Sequence, residues 1–81
     1  MGQSNTAAMN EIELETTLRR VLLGRVGDLQ VELHGQELVL RGWTRSYHVK
    51  QLAQHAAMEA SGLPIRANAI EVHWDRGQSL D

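Results

Sequence analysis

Histidines, one serine beside a histidine, and a run of basic and aromatic side chains are the residues best suited to chemistry in this chain. His48 and His55 lie seven residues apart. On a helix that is two turns, roughly 10 Å, too far for one metal ion to bridge. His34 and His73 fall on one face of alternating segments together with Glu32, and they meet if their strands are neighbours. No third ligand accompanies them, whereas a zinc site usually takes four donors. The chain has no cysteine, which removes disulfides, thiolate ligands and a Cys nucleophile. Neither metal nor cofactor is expected. Ser46 stands two residues before His48, but residues two apart at a helix start do not face each other. Its simpler role is an N-cap. Glu11, Glu13 and Glu15 crowd a first helical turn, where they compensate the helix dipole. No nucleophile, base and orienter come together, so no enzyme is expected.

The strongest local patch is Arg41, Trp43, Arg45, Tyr47 and Lys50, which puts three basic charges within ten residues. Trp and Tyr suit a membrane interface, and the cations suit lipid phosphates. The patch is therefore a candidate contact for a phospholipid surface or a protein partner. A plainer account has Trp43 covering a sheet edge, Tyr47 packed on a helix stripe and the charges solvated. Val39 and Trp43 on an open sheet face also allow a homodimer.

Five elements must position these groups. Asn10, with Glu13 three residues on, reads as a helix start. Ile12, Leu14, Leu18, Val21 and Leu22 then recur at helical spacing, which predicts a helix over Asn10–Leu23. Gly24 or Gly27 supplies its left-handed cap. Leu29, Val31 and Leu33 alternate with Gln30, Glu32 and His34, as in a half-buried strand. Gly35-Gln36 is a tight turn with Gly at positive φ, and a second strand runs from Leu38 to Thr44. Ser46 caps a second helix, whose stripe is Tyr47, Val49, Leu52, Ala53, Ala56, Ala57 and Ala60. Ser61-Gly62 and Pro64 end it. A last strand spans about Ile65 to Trp74. The fold class is α/β (α+β), in the order helix, strand, strand, helix, strand. Two helices pack on one face of a three-stranded mixed sheet, with a right-handed crossover into the last strand. The other face stays open and carries Gln30, Glu32, His34, Val39, Arg41, Trp43, Glu71 and His73.

Three segments of this pattern resemble a known family. Gly35-Gln36-Glu37-Leu38-Val39-Leu40-Arg41-Gly42-Trp43-Thr44 resembles the G-x-V-x-L-x-G-x-V core of the BON domain, named for bacterial osmotically inducible and nodulation proteins. Ser46 to Gln54 resembles the S-x-x-x-K-x-x-A start of its second helix. Leu63 to Val72 resembles its closing G-V-x-x-V-x-N-x-I-x-V segment, with one extra residue, and Thr44 stands where valine is usual. The resemblance covers roughly Asn10 to Trp74. It implies an α/β sandwich that is a non-catalytic binding module for phospholipid surfaces or envelope components. Gly42, Ser46 and Asn68 then read as structural. Gly42 permits a close approach of helix and strand, and Asn68 satisfies backbone groups at a strand start. Gly24-Arg25-Val26-Gly27 matches the GxxG loop of KH modules, which makes a nucleic-acid binder the alternative. In that family, however, the loop joins two helices, and here it joins a helix to a strand.

The 81 residues allow one small domain. Leu, Ile and Val together number 20, enough for an aliphatic core, with Trp43, Tyr47 and Trp74 as the aromatics. A net charge of -2 gives no global attraction to nucleic acid or to anionic membrane. Residues 1–9 are expected to form a disordered tail, 10–75 the domain and 76–81 a loose tail. No apolar run approaches a transmembrane span. No signal-peptide pattern is visible, and the expected location is cytoplasmic, with a periplasmic one requiring a longer precursor. Met1-Gly2 with Thr6 fits the minimal myristoylation pattern, but no polybasic stretch follows to supply a second anchor.

Overall fold

A computed structural model describes residues 10–73. The tail 1–9 with its Gly2 motif, Trp74 and the tail 75–81 lie outside the described residues. The elements are α1 (Glu11–Val21), β1 (Gly27–His34), β2 (Glu37–Thr44), α2 (Tyr47–Ser61) and β3 (Ile65–Val72). The sheet order is β1-β2-β3, with β1 antiparallel and β3 parallel to the central β2. Both helices cover one face, as the order of elements predicts. Leu14, Leu18 and Leu22 come from the α1 side, and Val49, Ala53 and Ala57 from α2. They close one core over Leu29, Val31, Leu38, Leu40 and Ile70. Leu40 and Ile70 are fully enclosed.

The helix stripes are narrower than the apolar spacing suggests. Ile12 and Val21 of α1 are exposed, and so are Tyr47, Leu52 and Ala60 of α2. In α2 the buried residues are Val49, Ala53 and Ala57, with Ala56 partly buried against the same core.

The ends of α1 follow side-chain chemistry. Asn10 Oδ1 accepts from Glu13 N at 2.8 Å, satisfying an amide that has no partner within the helix. At the other end Gly24 is left-handed as expected and Gly27 is not, but a leucine precedes Gly24 in the same conformation. Leu23 takes φ +55° as the residue after the C-cap Leu22, and Gly24 follows at +72°. Leu23 N donates to Arg20 O and Gly24 N to Arg19 O, both at 3.2 Å. That paired pattern is a Schellman motif with leucine where glycine is usual. Gly27 lies inside β1, opposite Trp43.

β1 begins earlier than the alternation suggests because it opens with a bulge. Gly27 pairs with Trp43 and Gln30 with Arg41, so β1 holds one residue more than β2 over this stretch. Asp28 absorbs the excess at φ +50°, a conformation Asp tolerates better than most residues. The close approach at Gly42 belongs to this bulge and not to a helix. A Cβ there would lie 2.7 Å from Gly27 O and 2.9 Å from Val26 Cγ1. Gly35 takes φ +68° at the first central position of the hairpin turn, as its type requires. β3 has its own irregularity, since Leu38 pairs with Ile65 but Val39 with Ala67. Arg66 is the residue this shift leaves without a partner in the ladder.

α1 also guards the outer edge of the sheet. Glu15 Oε2 accepts from Val31 N at 3.1 Å, Glu11 Oε2 accepts from Leu33 N, and Arg19 Nη2 donates to Leu29 O at 3.0 Å. Four helical residues rise about 6 Å and two strand residues about 6.6 Å. Side chains at every fourth helix position therefore keep step with every second strand residue. Glu11 and Glu15 have this strand-capping task beyond any role at the helix dipole.

Candidate functional site

The patch read from the sequence divides over three sides of the molecule. Arg41 lies on the open sheet face, where its Nε donates to Glu32 Oε2 at 3.0 Å. Tyr47 and Lys50 line a groove along α2 with Gln54, Met58 and Asn68. Trp43 and Arg45 line a different cleft, of about 450 Å³, at the end where α1 finishes and α2 begins. Arg25 from the α1–β1 loop and His48 from the first turn of α2 join them there. From sequence alone Arg25 belongs to a GxxG loop, and His48 is a candidate metal ligand or a partner of Ser46. Trp43, Arg45 and His48 are neighbours in the chain, and the hairpin brings Arg25 to them.

Each wall of the cleft has a local cause. Ser46 Oγ accepts from Val49 N at 3.3 Å, which caps α2 and turns its positive end toward the cleft. Trp43 is half-buried. Its indole stacks on His73 with centroids 5.4 Å apart and planes within 9°. The same ring lies over Gly27, where a Cβ would come within 2.4 Å of it. Gly27 is thus sealed under tryptophan, and the four residues Gly24–Gly27 do not form one exposed loop. Thr44, only 2% exposed, is the buried polar residue among those described, and it lines the cleft. Its backbone carbonyl accepts from His73 N at 2.8 Å, but its hydroxyl makes no hydrogen bond with any described residue. A buried hydroxyl without a partner costs about 1–3 kcal/mol.

The remaining candidates fall elsewhere. Asn68 is structural, and its reach exceeds a strand start. Its Nδ2 donates to Lys50 O at 2.9 Å and to Gln54 Oε1 at 3.3 Å, while Oδ1 accepts from Ile70 N at 3.2 Å. The side chain ties β3 to α2. His34 and His73 do not meet, because β2 runs between their strands. Each pairs with the carboxylate two residues earlier, Glu32 at 3.0 Å and Glu71 at 2.9 Å. His55 faces Glu59 at 3.4 Å. Among the described residues no three His, Asp or Glu side chains group closely enough to hold a metal ion. The Glu32 carboxyl is held below its ordinary value, first by its hydrogen bond with His34 and then by that with Arg41. Val39, named for a homodimer face, is only 6% exposed and lies between Glu32 and Ala67 in the ladder. Among the described residues no helix is long and apolar enough to cross a membrane. No family model, no curated protein and no solved structure matches the chain.

Proposed function

We propose that this protein is a non-catalytic binding module that takes the phosphate of a lipid headgroup at the Arg25–Arg45 cleft and so docks on anionic phospholipid surfaces. The observation that carries this reading is the buried Thr44, whose hydroxyl meets no described partner, in a cleft lined by Arg25, Arg45, His48 and Trp43. A phosphate oxygen accepts from the hydroxyl, arginines supply charge-assisted donors, and the start of α2 adds its positive end. Tryptophan suits the headgroup region, where an apolar ring with one polar edge is at home. The likeness of three segments to BON domains supports the same reading. The site departs from the patch read in the sequence, because Arg41 lies on another face, beside Glu32.

Flotation with phosphatidylcholine vesicles, with and without phosphatidylglycerol, tests it. Binding is expected only with the anionic lipid and is expected to fall as salt rises. Arg25→Gln and Arg45→Gln should each weaken it by about 1 kcal/mol, and Arg41→Gln should leave it nearly unchanged. Inorganic phosphate provides a second arm. If it shifts the Thr44 and His48 resonances while vesicles stay unbound, the cleft serves a free anion and the membrane reading fails. A salt-dependent shift of a short single-stranded RNA in place of vesicle binding would turn the assignment to nucleic acid.

A further inference from the structure

We propose that Leu23 is an apolar anchor that enters the acyl boundary when the Arg25–Arg45 end meets a phospholipid surface. The proposal rests on the lipid reading of the neighbouring cleft and names the residue that would carry its apolar part. Leu23 combines two liabilities that a purely structural residue does not need. It holds φ +55° at the one position of the cap where glycine is favoured, and its side chain is 74% exposed. The left-handed conformation disfavours a residue with a Cβ, and the exposed isobutyl group recovers nothing by packing. Glycine would close the same pair of cap hydrogen bonds from Leu23 N and Gly24 N without that penalty.

The setting favours a membrane over another apolar partner. Leu23 is held by a tight turn in which Arg25 N donates to Leu22 O at 3.0 Å. Leu22 points into the core while Leu23 points out. Arg25, two residues on and within about 7 Å of backbone, lines the cleft. Val21, in the last turn of α1, is also exposed. Arg20 and Arg25 flank Leu23 in the chain, whereas Arg19 is turned to Glu15 and Leu29 O at the sheet edge. An exposed leucine among cations matches a layer of anionic headgroups above hydrocarbon: the charges stay with the phosphates while the side chain goes below them.

Leu23→Gly and Leu23→Asn test the anchor in the full-length chain, since both residues accept the left-handed cap. Flotation with phosphatidylcholine–phosphatidylglycerol vesicles should show roughly tenfold weaker binding for each. Thermal unfolding without lipid should show the glycine variant at least as stable as the parent. If both variants bind vesicles like the parent while Arg25→Gln binds more weakly, the anchor is refuted and the lipid reading stands. If the parent does not bind vesicles, both fall together. If the variants lose stability in step with binding, Leu23 is a structural cap and the proposal fails.

Discussion

Two glycines and one glutamate carry more of this structure than their types announce. Gly27 leaves room for the Trp43 indole, and Gly42 leaves room for the backbone of the β1 bulge. Gly42→Ala should cost more than Gly27→Ala. Its Cβ would meet a carbonyl that cannot rotate away, and its φ of +145° is unfavourable for alanine. Urea unfolding should show a loss of about 1–3 kcal/mol for Gly27→Ala. A larger loss is expected for Gly42→Ala, and equal losses would contradict the bulge as the tight point. Glu32 gives a pH test. Its lowered pKa in the folded state means that its contribution is present above the ordinary carboxylate value near 4.5 and is lost as pH falls below it. In acid titrations followed by circular dichroism, Glu32→Gln should remove that part of the loss and flatten the profile below about pH 4.5.

At the scale of elements, each sheet edge is closed by a different device. Glu11, Glu15 and Arg19 occupy the outward groups of β1 from the helix beside it. On β3, His73 N donates inward to Thr44 O, so Ile70 N, three residues earlier in the alternating strand, faces outward. Asn68 Oδ1 takes it. Unguarded edges invite pairing with other chains. Glu11→Ala with Glu15→Ala should therefore speed hydrogen exchange at the Val31 and Leu33 amides and raise self-association in sedimentation velocity. Unchanged exchange would show that the two carboxylates do not hold the edge. Asn68→Ala removes two hydrogen bonds from β3 to α2 and one within β3, and should cost about 1–2 kcal/mol in urea unfolding. The amide of Ile70 should become the one whose protection falls most.

The molecule as a whole has a single aliphatic core and no disulfide to support it. Leu18 sits at its centre, with no exposed surface, between α1, the sheet and α2. Leu18→Ala should cost about 2–5 kcal/mol, a large share of the stability of so small a domain. Loss of the cooperative transition near body temperature is the expected result, and a variant that unfolds like the parent would show that the core has a second centre. The same architecture separates several charged side chains by their place in the fold. Glu11, Glu15, Glu32 and Glu71 are spent along β1 and on the open face. Arg25, Arg45 and His48 gather where α1 ends and α2 begins.

Local chemistry determined the order of elements, the two helix N-caps at Asn10 and Ser46, the hairpin turn at Gly35 and the inward set Leu38, Leu40 and Ile70. Each of these depends on a few neighbouring residues, and periodicity or capping chemistry expresses such dependence directly. Tertiary structure alone decided that Ile12, Val21 and Tyr47 stay outside the core, that Gly42 answers to a bulge, and that Leu23 is the left-handed cap residue. It also decided the cleft. Arg25 becomes a neighbour of Trp43, Arg45 and His48 only when the antiparallel hairpin closes and sets the start of β1 beside the end of β2. Side-chain spacing has no memory of such a meeting, since the distance between distant segments is set by packing and not by sequence separation.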